Sequence, residues 1–319
     1  MSLTELDIKS LKPARRCGHR ILYFHQIATE KVAWYNGGIS PERFYELLEA
    51  VQRLGFRFIS LEEALFSKTP LKGTASLCSD DGLATNYNVM PVLDSLGIKL
   101  TLFLIGKCID NGSFAWNHRL ALLRARVRDV SLKAILPELQ SLFNLKDMGN
   151  ISSTLFGVAQ DRRDELIDWL WERFQLPSSE ELVQTARPFL GVDQLREMSS
   201  RGVALALHSH SHADLSRLAY PELKQELLLN IAALECYKLP WQPWLAFPYG
   251  RQVSKEYMLR LRGELGIQRF LGIRFVTGDN RPNELLWQRI GLETDGFTPW
   301  REMLLKPVAR RLKGAFSNR

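Results

Sequence analysis

The 319-residue chain has no run of about 18 apolar residues, so no membrane-spanning helix is readable in it. Its first sixteen residues are polar and charged, without the apolar core of a secretory signal, which makes a cytoplasmic protein the expectation. Cysteine is sparse: Cys17, Cys78, Cys108 and Cys236 stand at wide, irregular intervals that match neither a thiolate metal site nor a disulfide framework, and reduced thiols are expected. Internal repeats and low-complexity segments are absent, which excludes a solenoid. The formal charge of +7 comes without an aromatic-interleaved basic platform or recognition motif, so nucleic acid is not an expected partner. Histidine is scarce too, with six in all and none after His212.

What is present is a core-forming composition, 45% hydrophobic against 24% charged, as in a soluble enzyme. Short apolar runs at 21–24, 56–60, 75–78, 100–105, 203–207, 244–247, 271–276 and 287–292 read as strands. Several are separated by helical patterns. Ser40 and Pro41 open one helix, with Phe44, Leu47, Leu48, Val51 and Leu54 on one face. Asp193 is expected to cap another that ends at Gly202. Such β-α alternation implies a parallel sheet, and the length suits one α/β barrel with an insertion. Residues 109–192 supply that insertion: Leu166, Ile167, Leu170, Trp171 and Phe174 recur at helical spacing and no strand is convincing. Trp116, Asn117, His118 and Arg119 open it, with Trp116 expected to reach substrate.

Three of the six histidines fall within five residues, His208, His210 and His212, directly after an apolar run. His208 and His212 are four apart, a spacing used by zinc sites, and imidazole suits a borderline ion. The third ligand is sought in Asp80-Asp81-Gly82, which follows another apolar run. One carboxylate there can bind an ion while its neighbour moves protons. Alone, Asp-Asp-Gly is a turn sequence; two imidazoles and a carboxylate at strand ends make a three-ligand site with an open position.

These residues resemble a family. Asp80-Asp81-Gly82 is similar to the end of the Thr-Phe-Asp-Asp-Gly motif of the polysaccharide deacetylases (nodulation-factor deacetylase homology, carbohydrate esterase family four), and His208-Ser209-x-x-His212 to their His-Ser/Thr-x-x-His motif. Phe247-Pro248-Tyr249-Gly250 resembles the third motif, and residues 93–103 the helix end and strand after the Asp pair. Cys78 and Ser79 depart from the usual Thr and Phe, and Ala246 from the Arg that many members carry. Most members also take a general acid from a late Leu-x-His, which is missing. Instead His25 ends the apolar run 21–24, as in the circularly permuted members whose corresponding strand comes first.

The resemblance implies a deformed (β/α) barrel of about seven strands and a metal-dependent amidase. Asp81, His208 and His212 would bind a divalent ion, zinc first, with Co²⁺, Ni²⁺ and Mn²⁺ also suited. Asp80 would be the general base, His25 the general acid, and the backbone N–H of Tyr249 an oxyanion donor. Pro248 and Arg289 are expected near substrate, and Arg289 or Arg274 would orient Asp80 in place of the missing third-motif Arg. The expected reaction is removal of an N-acetyl group from an amino sugar, the substrate being an acylamino sugar or lipid-linked saccharide on the way to a surface polysaccharide or lipopolysaccharide. Three alternatives stay open: a sugar N-deformylase, a non-catalytic carbohydrate-binding relative, and an amidohydrolase barrel, whose His-x-His normally opens the first strand. The basic tail, 303–319, interleaves Lys306, Arg310, Arg311, Lys313 and Arg319 with apolar residues. It suits peripheral contact with an anionic inner-membrane surface, or a solvated helix.

Overall fold

The apolar runs become eight strands: β1 (Arg20–Phe24), β2 (Arg57–Phe58), β3 (Thr74–Ser79), β4 (Leu100–Leu104), β5 (Ala204–Leu207), β6 (Trp241–Ala246), β7 (Arg269–Gly272) and β8 (Leu286–Gly291). They belong to a computed structural model that describes residues 17–27, 37–273, 280, 284–293 and 297–305. Expected positions in 274–276, including Arg274, and in the tail beyond 305 lie outside the described residues. All the strand pairings are parallel, in the order β1-β8-β7-β6-β5-β4-β3, and β3 pairs back onto β1 with Leu22 opposite Leu77. Seven strands therefore close a barrel. The two-residue β2 adds to the first residues of β3.

Both faces of this sheet are buried, which is why its strands read as continuous apolar runs rather than alternating ones. Ile21, Cys78, Phe103, Ala206, Trp244, Ala246, Leu271 and Trp287 form one cluster, while their neighbours Leu22, Leu77, Leu102, Leu205, Leu207 and Leu245 join another. The first fills the barrel, with alanines beside tryptophans. The second meets the surrounding helices α1 (Pro41–Arg53), α3 (Met90–Leu96), α10 (Val192–Ser200), α11 (Tyr220–Cys236) and α12 (Lys255–Leu265). Helix α2 (Leu61–Leu65) instead adds Leu61, Ala64 and Leu65 to the interior cluster, and Arg269 at the start of β7 donates to the Leu65 carbonyl. This closes the barrel at the strands' N-terminal ends and leaves the opposite end for a site.

Helix α1 starts as its sequence predicts, with Ser40 Oγ accepting from the Arg43 N–H at 3.2 Å. The expected cap at Asp193 is corrected. Helix α10 begins earlier, at Val192, because the Gln194 side chain accepts from the Gly191 N–H at 3.0 Å and takes over the cap; Asp193 lies in the first turn. Between β4 and β5 run α4 (Trp116–Arg126), α5 (Asp129–Ala134), α6 (Leu136–Phe143), α7 (Ile151–Phe156), α8 (Arg163–Arg173) and α9 (Ser179–Ala186). They share a core of their own, including Leu120, Leu139, Leu155, Leu166 and Leu170. The block returns beside the strand ends: Leu190 N–H donates to the Gly82 carbonyl at 2.9 Å, and Ala84 N–H to that of Pro188 at 2.8 Å.

One buried side chain ties the site-bearing ends of β4 and β5 together. Asn230 on α11 accepts from the His208 N–H at 3.0 Å and donates to the Leu104 carbonyl at 3.2 Å. The His208 N–H also donates to the Leu104 carbonyl at 3.1 Å. Asn230→Ala therefore removes two buried hydrogen bonds without orphaning either backbone group and should lower the unfolding free energy by about 1–2 kcal/mol, read from urea or thermal denaturation. A change within about 0.5 kcal/mol, ordinary for surface positions, would show that the clamp carries no weight.

Candidate metal centre

His25 follows β1, Asp80 and Asp81 follow β3, His208 and His212 follow β5, and Tyr249 follows β6. Parallel register puts all these ends on the open side of the barrel, where barrel enzymes assemble their sites. The loops are held in unfavourable backbone geometry: Asp81, Ser209, His212 and Tyr249 have φ of 71°, 62°, 62° and 57°. For residues with a Cβ, that left-handed conformation costs roughly 1–2 kcal/mol each. Its concentration at this rim marks a functional site.

Asp81 is the centre. It is buried, with Oδ1 3.2 Å from His208 Nε2 and 3.3 Å from His212 Nε2, and Oδ2 3.2 Å from His118 Nε2. Neither oxygen accepts a well-aligned hydrogen bond. His208 Nδ1 lies 2.8 Å from the Ala246 carbonyl, which can only accept, so Nδ1 carries a proton and the neutral ring presents its lone pair at Nε2. A lone pair facing a carboxylate at that distance is repulsive unless a cation lies between. One ligand atom each from Asp81, His208 and His212 fall within 4.8 Å of one another, and this donor set fits a divalent, zinc-like ion. Burial pushes His212 down to about 4, the neutral form a ligand needs. Burial opposes the charge of Asp81, yet the facing His212 and His118 hold its pKa well below the usual carboxylate range.

The neighbouring Asp80 has a different partner. Arg289 of β8 grips it with both ends of the guanidinium, Nη1 to Oδ1 at 2.6 Å and Nη2 to Oδ2 at 2.8 Å. Against the penalty of burial, Arg289 lowers the Asp80 pKa. Of the two arginines expected to orient Asp80, Arg289 is in position to do so, and Arg274 lies outside the described residues. It also lines a cavity of about 180 Å³ whose walls include His25, Asp80, His208, His212 and Tyr249. His25 thus faces the carboxylate–imidazole cluster across a small chamber. Its Nδ1 lies 2.5 Å from Glu293 Oε2, and Glu293 Oε1 accepts the His25 and Gln26 N–H groups at 2.8 Å each. Burial alone would lower the His25 pKa, but the Glu293 charge and hydrogen bond raise it to about 9.

Two functional contacts escaped the sequence reading: the Glu293 clamp on His25, and the approach of His118 from α4 to Asp81. A carboxylate directly after the last apolar run was the available signal for the first. Nothing local announces the second. Trp116 is buried and reaches the cluster indirectly, donating from Nε1 to Tyr249 Oη at 2.9 Å, with that oxygen 3.0 Å from His212 Nδ1. Pro248 is buried at the base of its loop, and Phe247, Tyr249 and Gly250 line the chamber around it. Tyr249 N–H has no protein acceptor among the described residues, whereas those of Gly250 and Arg251 turn back to Phe247 and Pro248.

Residues 67–270 match a family model described as polysaccharide deacetylase. No curated protein matches the chain at a significant level. Three solved structures are similar in fold: IcaB from Ammonifex degensii, with 16% identity, TM-score 0.56 and coverage of 92% of this chain and 98% of that one; the Streptococcus pyogenes deacetylase PplD, solved with acetate, with 17%, 0.56, 90% and 99%; and a de-N-acetylase from Aggregatibacter actinomycetemcomitans, with 16%, 0.55, 90% and 99%.

The Asp80–Arg289 pair yields a prediction of its own. Arg289→Met strands a buried charge and should destabilise the protein by about 3–5 kcal/mol near neutral pH. Because the native Asp80 pKa is depressed, the pair stabilises above the unfolded carboxylate value near 3.8 and loses that effect as pH falls through the native value. In the variant, Asp80 is buried without its counter-charge and protonates above that unfolded value, so the deficit should already shrink between pH 7 and pH 4. Denaturant titrations at pH 7 and pH 4 check it; a deficit independent of pH would assign the loss to packing alone.

Proposed function

This chain belongs to the polysaccharide deacetylase family, and from that premise we propose that it hydrolyses the N-acyl group of an amino sugar, in a polysaccharide or its saccharide precursor. The observation that carries the reading is the division of labour between adjacent carboxylates, with Asp81 facing two imidazoles and Asp80 held by Arg289 at the chamber wall.

Asp81, His208 and His212 would hold a divalent ion. When bound, it supplies Lewis-acid polarisation of the acyl carbonyl and acidifies water. Asp80, kept ionised by Arg289, takes the proton of the attacking water. The Tyr249 N–H would hold the developing oxyanion, and Trp116 and His212 fix its side chain. An amine is too basic to leave unprotonated, and His25, whose pKa is raised to about 9, carries the needed proton at neutral pH. The small chamber suits a short acyl group, and acyl chain length is what an assay of formyl, acetyl and longer amides resolves.

Three outcomes follow. Asp81→Asn, His208→Ala and His212→Ala should each weaken zinc binding by more than about 100-fold, read by competition with a chromophoric chelator; an unchanged affinity would remove the residue from the ligand set. Asp80→Asn should retain the metal while turnover falls by about 10²–10⁴-fold, read as acetate release, and full activity would end its role as base.

The third concerns pH. His25 has a native pKa above its unfolded value, so its pairing with Glu293 stabilises fully below about 6.5 and is lost as pH rises through about 9. As the acid it must be protonated, so kcat should decline over the same upper window. Glu293→Gln should move that alkaline limb to lower pH, and His25→Gln should abolish it together with most turnover. A limb indifferent to both substitutions would exclude His25 as the titrating group.

A further inference from the structure

Arg163, the first residue of α8, is 4% exposed, and its Nε and Nη1 have no hydrogen-bond partner. The guanidinium lies 4.9 Å from the ring centroid of Trp116 and 5.8 Å from that of Tyr249. Ring faces offset part of its desolvation. They leave the N–H edges unsatisfied, and an unmet buried donor, especially a charged one, is a large cost that native structures avoid.

The surroundings carry charges of both signs. Arg163 borders a cavity of about 890 Å³, with Lys107, Trp116, Gln160, His212 and Arg217 among its walls. Arg217 and Arg251 both act electrostatically on Arg163. Among these arginines one buried carboxylate, Asp214, is already engaged by Arg251 at 2.5 Å and by Ser216 Oγ at 2.7 Å. A 3-10 turn, Gln160–Arg162, leads directly into α8, and the Arg163 N–H donates to the Gln160 carbonyl, so the guanidinium is the unsatisfied donor here. Asp161, Asp164 and Glu222 also line this cavity, but all three are exposed to water, which screens them, and Glu222 accepts the Ala219 N–H. Glu226 is occupied by the His210 and Ser211 N–H groups and by Ser211 Oγ. His212 lines both this cavity and the small chamber, so the two adjoin at the centre.

Resting on the amino-sugar reading above, we propose that the Arg163 wall is an anion subsite: it holds a phosphate or carboxylate of the substrate while the acylamino group lies in the chamber. Both anions present oxygens to a planar guanidinium fork in the same way. The substrate class is therefore an anionic acylamino saccharide, either phosphorylated or containing a uronate.

The test uses three sugars with the same acetamido group: methyl N-acetylglucosaminide, N-acetylglucosamine 1-phosphate and 2-acetamido-2-deoxygalacturonate. Their binding to the zinc-loaded protein is measured by calorimetry at low and high salt. At least one charged sugar should bind about tenfold or more tighter than the neutral one, the scale of a charge-assisted contact, and the better of the two identifies phosphate or carboxylate. Salt should erode the preference. Arg163→Met, which keeps apolar packing on Trp116 and Tyr249, should reduce it to within about twofold. Equal binding of all three sugars, or a preference that survives Arg163→Met, overturns the subsite. If Arg163→Met does not fold, Arg163→Lys takes its place; losing the fork should weaken the preference by threefold or more, and an unchanged preference overturns the proposal. Acetate release from the neutral sugar reports separately on hydrolysis. Release without a charge preference removes the subsite and leaves the hydrolase reading, whereas a preference without release does the reverse.

Discussion

Two adjacent carboxylates, Asp80 and Asp81, are buried at the end of one strand, and the architecture of this protein answers the problem they set. Like charges that close, shielded from water, cannot both stay ionised unless each has its own counter-charge. Asp80 has Arg289, while Asp81 faces the nitrogens of His208, His212 and His118, a set whose counter-charge would be the cation that Asp81, His208 and His212 hold. Barrel closure makes the first pairing available. In an open sheet of the same order, β8 would lie far from β3; because β1 pairs with both, they become second neighbours, and Arg289 reaches across to Asp80. Tyr23 and Phe103 present their rings to the guanidinium, at 4.7 and 5.3 Å, on its way there.

The second pairing is held by loops rather than strands, and these loops are strained at Asp81, Ser209, His212 and Tyr249. Strain persists only where the surroundings over-determine a conformation. Here they do so in layers. Asn230 fixes the His208 backbone, the Ala246 carbonyl fixes the His208 ring, and Tyr249 positions His212 while itself accepting from Trp116. Through Trp116 and His118, the helical block between β4 and β5 is part of the centre as well as its side wall. A substitution in that block can disturb the site without touching substrate.

Much of this was legible in the chain. Every expected strand is present, because both faces of a closed parallel sheet are buried and leave continuous apolar runs. The site motifs were legible because ligand residues lie at strand ends, where a polar cluster after an apolar run stands out. What sequence could not supply were partners fixed only by closure. Arg289 and Arg274 were equivalent candidates until β8 was placed beside β1. Glu293 binds His25 from 268 residues away, and His118 meets Asp81 from a helix whose docking no local pattern encodes. The cap of α10 failed for a local reason: Asp193 and Gln194 both offer an acceptor, and Gln194 Oε1 reaches the Gly191 N–H.

For the proposed hydrolysis, the two ion pairs let a base and an acid coexist in one small chamber. An isolated carboxylate near pKa 4 and an imidazole near 6.5 would leave the imidazole mostly deprotonated at slightly alkaline pH, with no acid for the departing amine. Arg289 lowers Asp80, and Glu293 raises His25 to about 9. Between those limits Asp80 is ionised and His25 protonated together, the states required for water activation and amine expulsion. The residues that do this, Arg289 and Glu293, both come from β8 or directly after it, the strand that β1 joins to the Asp80 strand. Closing the barrel thus sets the protonation states as well as the geometry: opening the β1–β8 seam would release both titrating groups toward their ordinary values.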